Sequence, residues 1–245
     1  YEIASCLVGS EMCIRDSSQR EDEPTVLRFL GAGIAVVKVE YSCGPEGGHF
    51  PTQLLQVCAA IAMVRRNAEQ WHIDSSKIAV MGYSAGGHLA GTVGTLWNSP
   101  LVRETLQIPS GEDRPDGMIL GYPVITSGAY THEDSIKFLL GEDRYQDEKE
   151  RAKVSVEKLV NRDTPKAFLW HTFEDDLVPV ENTLKMADAL RKEGVLFEMH
   201  IYPHGPHGLA ICDETTVDVK ENLNPYAAYV SSWVEHCIRW IREVL

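Results

Sequence analysis

Gly82-Tyr83-Ser84-Ala85-Gly86-Gly87 sets a serine between glycines, directly after the apolar run Ile78-Ala79-Val80-Met81 and before the small residues Gly87-His88-Leu89-Ala90. A Gly-x-Ser-x-Gly between a strand and a helix is the pattern of a nucleophile elbow. The turn is so tight that side chains at its first and last positions would strike neighbouring backbone, hence glycine at both. The serine hydroxyl then stands above the sheet edge. The N–H groups that open the following helix, Ala85 first among them, can hold a developing oxyanion. The chemistry open to such a serine is attack on an acyl carbon. It needs a base to take the hydroxyl proton and a third group to fix the base's tautomer. By itself the pattern also fits a glycine-rich turn with an idle serine, so the partners decide.

On elbows of this kind an acid and then a histidine follow the serine in the chain. Ala167-Phe168-Leu169-Trp170 reads as a buried strand running into His171-Thr172-Phe173-Glu174-Asp175-Asp176-Leu177-Val178-Pro179, an acidic loop ahead of a helix over 181–193 closed by Gly194. Glu174, Asp175 and Asp176 all compete for the acid, at the carboxyl end of a strand where parallel sheets carry their chemistry. Those not used read as a solvated turn. The next strand, Leu196 to Tyr202, leads into Pro203-His204-Gly205-Pro206-His207-Gly208-Leu209. Of the nine histidines, His207 stands apart in this Gly/Pro-rich loop, with His204 as its rival. His88 on the elbow helix, His72 before a turn and His236 on a helix have structural readings. An imidazole titrating near ~6.5 can accept a proton at neutral pH and return it.

From Arg20 to the C-terminus the chain resembles α/β-hydrolase esterases of the acetyl-xylan esterase and carboxylesterase-lipase type. The stretches that carry this are Arg20-Glu21-Asp22-Glu23-Pro24, Val39-Glu40-Tyr41-Ser42, His49-Phe50-Pro51, the elbow, Gly121-Tyr122-Pro123-Val124, Trp170-His171-Thr172 and His204-Gly205-Pro206-His207-Gly208. The Asp-x-x-Val-Pro spacing from Asp175 to Pro179 resembles the acid loop of that superfamily, which favours Asp175 over Asp176 and Glu174. The resemblance implies an α/β-hydrolase fold, a mostly parallel sheet flanked by helices. It also implies a serine esterase removing acetyl or other short acyl groups from small-molecule or carbohydrate esters. Ser84, Asp175 and His207 are the expected catalytic residues, and the Ala85 N–H the expected oxyanion donor. No metal and no organic cofactor is required. Tyr83 and Tyr122, beside the elbow and just past a strand end, are candidate substrate-binding walls, with core packing as their other role. A serine peptidase of the same fold and a catalytically silent binding protein are the rival readings.

Enzymes of this type need a second oxyanion donor, from a Gly-rich loop after the third strand. It should stand just before the helix around 21–30, and no such motif is there. Gly44, Gly47 and Gly48 follow the fourth strand in the fold's order and read as a flexible loop. In the expected place, Cys6-Leu7-Val8-Gly9-Ser10-Glu11-Met12-Cys13-Ile14-Arg15-Asp16 looks like a translated sequencing adapter. Residues 1–17 are therefore expected to be foreign, and 18–245 to be an α/β-hydrolase domain lacking its N-terminal strands. Loss of the third strand would open the middle of the sheet, at about 1–3 kcal/mol per unpaired buried group against a stability of about 5–15 kcal/mol. The chain as written is expected to fold or hydrolyse poorly. Ile3 to Val8 could imitate the missing strand.

The 245 residues fit one α/β domain, and 44% hydrophobic content supplies a core. With 36 acidic against 23 basic residues the net charge is −13, and no basic stripe is evident, which argues against nucleic acid. No run of 18 apolar residues exists, so no membrane span is expected. Of six cysteines, two fall in the suspect segment; Cys43, Cys58, Cys212 and Cys237 read as free buried thiols of a reducing, cytoplasmic setting. Helix and strand signals alternate: a helix over 23–30, a strand over 34–41, a helix over 52–71, strands over 77–81 and 118–122, and an apolar stripe from Tyr226 to Val244 on a closing helix that packs on the sheet. The more polar stretches 97–116 and 125–164 are expected to form loops and short helices around the pocket.

Overall fold

The computed structural model describes residues 3–8, 20–42, 48–216 and 224–245. Among them, β1 (Ile3–Val8), β2 (Ile34–Val39), β3 (Ile78–Tyr83), β4 (Gly117–Gly121), β5 (Lys166–Thr172) and β6 (Phe197–Tyr202) form one sheet. Its order is β2-β1-β3-β4-β5-β6, with every pairing parallel. Such a sheet is covered on both faces, which is why β3 and β4 are buried at every position.

The period-2 alternation of these strands divides the core in two. Val80, Leu120 and Leu169 face one helical layer, with Val57 and Ile61 of α2 (Thr52–Arg66), Val93 of α4 (Ser84–Leu96) and Leu190 of α9 (Glu181–Glu193). Met81, Tyr83, Ile119, Phe168 and Trp170 face the other, with Phe29 of α1 (Glu23–Gly31) and Trp233, Cys237 and Trp240 of α11 (Ser232–Glu243). Short helices fill the connections: α3 (Ala68–Trp71), α5 (Pro100–Leu106), α6 (Glu133–Leu140), α7 (Glu142–Tyr145), α8 (Glu148–Ala152) and α10 (Asn224–Val230).

Ile3–Val8, the run expected to imitate the third strand, lies between β2 and β3, with Ile3 in register with Ile34 and Ala4 with Ile78. Six short, mostly apolar residues suffice to pair on both sides, so the anticipated stand-in occupies the place of the third strand. Residues 9–19, where the second oxyanion donor is expected, lie outside the described residues, as do Cys43, Gly44 and Gly47. The expected helix over 52–71 is interrupted at Asn67, whose side-chain amide donates to the Met63 carbonyl at 2.7 Å and competes with the helical ladder. Cys58, Cys212 and Cys237 are free and buried, and burial pushes the Cys212 thiol up to about 11. Among the described residues no helix is long and apolar enough to cross a membrane.

Candidate active site

β3 passes straight into α4 at Ser84, which is held at φ +51°. A left-handed non-glycine residue costs on the order of 1–3 kcal/mol and persists only where its surroundings over-determine it. Here they do. A Cβ at Gly82 would lie 2.2 Å from the Gly86 carbonyl oxygen, and one at Gly87 would lie 2.8 Å from Pro123 Cβ. The Val124 N–H donates to the Ser84 carbonyl at 3.0 Å, tying the end of β4 to the elbow. Ala85 is in the first turn of α4, where backbone N–H groups have no intrahelical acceptor.

The acid loop joins β5 to α9. Of its three carboxylates only Asp175 is buried; Glu174 and Asp176 face solvent. Asp175 Oδ1 accepts the N–H groups of Leu177 at 3.1 Å and Val178 at 2.9 Å. Its Oδ2 accepts from His207 Nδ1 at 2.7 Å and from His171 Nε2 at 3.2 Å. Burial pushes this carboxyl up. The hydrogen bonds from His171 and His207, the nearby His207 charge and the Val178 N–H outweigh that and hold it well below the usual carboxylate range.

His171 is wholly buried, and its bonds specify its tautomer. Nε2 faces only acceptors, the Val178 carbonyl at 2.9 Å and Asp175 Oδ2, so it carries the proton. Nδ1 meets the Thr183 hydroxyl at 2.8 Å. His171 thus donates from Nε2 to the Asp175 carboxylate and holds it from the strand side.

The loop after β6 turns through Gly205 at φ +133° and Gly208 at φ +78° and brings His207 over the elbow. Because the ionised Asp175 can only accept, His207 Nδ1 donates to it. Nε2 is left to accept the Ser84 hydroxyl at 2.9 Å. Ser84, His207 and Asp175, far apart in the chain, therefore meet at the carboxyl ends of β3, β5 and β6. The rivals Glu174 and His204 pair with each other instead, Oε1 to Nδ1 at 2.9 Å.

Tyr83 and Tyr122, for which the sequence leaves pocket wall and core packing both open, pack in the core. Both are buried, at 1% and 2% exposure, and stack on each other with ring centres 5.3 Å apart. Trp170 packs edge-on against both rings. The rings are part of the core beneath the site, and Tyr122 meets the His207 imidazole at 4.9 Å. The sequence reading also left three residues without a role. His171 is four positions ahead of Asp175, a spacing that is itself a signal at a strand end. Glu21 reaches Tyr122 across the fold. His132 bonds Ser135 Oγ at 2.8 Å; burial, then the nearby His207, pushes its imidazole down. Among the described residues Glu198, His200 and His236 could jointly hold a metal, their ligand atoms lying within 4.8 Å of one another.

The sequence matches the BD-FAE family over residues 6–190. It is 38% identical over 161 residues to endo-1,4-beta-xylanase B of Butyrivibrio fibrisolvens, covering 66% of this chain and 25% of that protein. It is 35% identical over 149 residues to an acetylxylan esterase of Xylanibacter ruminicola, covering 60% of this chain and 28% of that one. The chain thus matches about a quarter of the length of these curated relatives. Among solved structures, an acetyl ester-xyloside bifunctional hydrolase from Caldicellulosiruptor lactoaceticus superposes with a TM-score of 0.81 at 35% identity, over 99% of this chain and 84% of that one. The carboxylesterase Cest-2923 from Lactobacillus plantarum gives 0.83 at 26% identity, over 99% and 86%. By sequence match and by fold, the chain belongs to the BD-FAE family and is an esterase-type member of the α/β-hydrolase superfamily.

Proposed function

We propose that this chain is a serine esterase that hydrolyses short acyl esters, acetyl esters of carbohydrates foremost, through a covalent acyl-enzyme. One observation carries the reading: a single imidazole spans the Ser84 hydroxyl at 2.9 Å and the Asp175 carboxylate at 2.7 Å. His207 takes the hydroxyl proton as Ser84 Oγ attacks the ester carbonyl, and Asp175 fixes the tautomer and stabilises the imidazolium. The oxyanion forms beside the N–H of Ala85 at the start of α4. His207 then gives its proton to the departing alcohol, and the carbonyl re-forms with Ser84 acylated. In the second half His207 activates water, which releases the acid and regenerates the hydroxyl.

The acetyl and carbohydrate parts of the reading are supported by the similar proteins, one an acetylxylan esterase and one an acetyl ester-xyloside hydrolase. The test is S84A against wild type on p-nitrophenyl acetate and on acetylated xylo-oligosaccharides, together with labelling by a fluorophosphonate probe. S84A is expected to abolish turnover and labelling of both kinds. Undiminished hydrolysis by S84A would refute the assignment, and labelled wild type that ignores acetyl esters would point to the peptidase reading.

A further inference from the structure

The Tyr122 hydroxyl stands at the centre of a hydrogen-bonded chain that begins just before α1 and ends in the loop carrying His207. Its oxygen accepts the Ala210 N–H at 3.1 Å, so its proton goes to the Glu21 carboxyl, whose Oε1 is 2.5 Å away. Glu21, Tyr122 and Ala210 are all buried. Ala210 is held at φ +51°, and its carbonyl accepts Trp233 Nε1 at 3.0 Å. The stretch from His207 to Ala210 is thereby pinned through an N–H and a C=O together, with the Tyr122 ring against the imidazole. Proton transfer among Ser84, His207 and Asp175 makes no use of Glu21. A buried ionisable group disfavours folding, so its position asks for another role.

We propose that Glu21 is a positioning residue for His207: through Tyr122 it anchors the loop that carries the imidazole, and its carboxylate offers the imidazolium a second buried negative charge besides Asp175. This rests on His207 being the base of the reaction proposed above. Among the described residues, the titratable and charged groups facing Glu21 include Tyr122, Tyr83, His207 and Arg20, and those facing His207 include Asp175, Glu21 and His132. Burial pushes the Glu21 carboxyl up to about 7, against the opposing pull of the Tyr122 hydrogen bond and the charges of His207 and Arg20. Glu21 therefore gains its charge within the range where imidazoles serve as bases.

The test uses E21Q, which keeps an acceptor for Tyr122 and removes the charge, and Y122F, which keeps the ring and removes the chain. Steady-state kinetics of the full chain on p-nitrophenyl acetate are followed from about pH 5 to 9. In E21Q the acid limb of kcat/KM is expected to move to lower pH by roughly half a unit or more, because the charge that favours the imidazolium is gone. Its Tm at pH 8 is expected to equal or exceed that of wild type, since a buried charge has been removed. In Y122F the limb moves the same way, and kcat falls by about tenfold with KM little changed as the imidazole loses its anchor. An acid limb superimposable on wild type in both variants overturns the proposal, as does a loss of kcat that only tracks a fall in Tm. Fluorophosphonate labelling of wild type separates the two readings. A labelled enzyme with unmoved limbs in the variants overturns the role of Glu21 alone. An unlabelled wild type overturns the Ser84, His207 and Asp175 reading, and this one with it.

Discussion

Glu174 and His204 clip the acid loop to the histidine loop from the outside. Nδ1 of His204 meets Glu174 Oε1 at 2.9 Å, and the Gly205 N–H donates to Oε2 at 3.3 Å. Both side chains are exposed, at 50% for Glu174 and 66% for His204. The inner pair, Asp175 and His207, has the buried side of the same two loops to itself. Exposed pairs are screened by water and hold two side chains in place at an entropic cost, so removing this one is expected to change little. E174Q and H204A should each retain kcat/KM on p-nitrophenyl acetate within about threefold of wild type. A collapse of activity in either would mean that the outer pair, not the inner one, carries the chemistry.

Asp175 presents two oxygens to four N–H donors, and this makes its amide a severe substitution. In D175N the backbone N–H groups of Leu177 and Val178 keep the amide oxygen, which turns the NH2 toward His171 and His207. Two donors then face a donor. His207 must present a bare Nδ1, which puts its proton on Nε2, opposite Ser84 and in the wrong tautomer for a base. A fall in kcat of roughly 10³–10⁴-fold is expected, with KM little changed. The same substitution carries a pH signature. A carboxyl held below its ordinary value adds stability that is present above about pH 4 and lost as pH falls through the folded-state value. The gap in Tm between wild type and D175N should therefore be widest at neutral pH and narrow on acidification below about pH 4. Thermal melts at neutral and acid pH check the sign.

His171 supports Asp175 without reaching the reacting atoms. In H171F the Val178 carbonyl, the Thr183 hydroxyl and one lone pair of Asp175 Oδ2 lose their buried partner together. Each unsatisfied buried group costs about 1–3 kcal/mol, so a destabilisation of roughly 2–4 kcal/mol is expected after local relaxation. H171Q, which can still donate one hydrogen bond, should recover part of it. Urea unfolding measures the first effect. Kinetics on a small ester should show a drop in kcat rather than a rise in KM, because what is lost is the orientation of the acid and not a contact to substrate.

Much of this arrangement is legible in the residues alone. β3, the elbow and α4 follow from an apolar run, two obligatory glycines and small helix formers, and the helix over 181–193 from its closing glycine. The acid and the histidine can be narrowed to short loops, because chemistry at the carboxyl ends of parallel strands leaves few positions. What escapes is set by contacts across long stretches of chain. Glu21 and Tyr122 are 101 positions apart, and nothing local distinguishes Glu21 from its acidic neighbours Asp22 and Glu23. Tyr122 takes φ +33°, a conformation that no pattern signals for tyrosine, and its ring lies against His207. The run Ile3 to Val8 is legible as a stand-in strand, but it is too short and ordinary to reveal that it would be paired on both edges.

The strain at Ser84 can be measured apart from the chemistry. At φ +51° any side chain with a Cβ is disfavoured, and the position is enforced by the Gly82 to Gly86 contact and by the Val124 N–H on the Ser84 carbonyl. S84A removes the hydroxyl and its bond to His207 but keeps the Cβ in the same conformation. S84G removes both. In ordinary backbone the glycine variant would be the less stable of the two, by about 0.5–1 kcal/mol through the entropy of the unfolded chain. Here the relief of a left-handed Cβ works in the opposite direction and is expected to win, leaving S84G more stable than S84A by about 1 kcal/mol. For a chain of this size that is a difference in Tm of roughly 2–4 °C, with both variants inactive. A lower Tm for S84G than for S84A would mean that the elbow holds its serine without stored strain, and that the geometry of the turn is bought by packing alone.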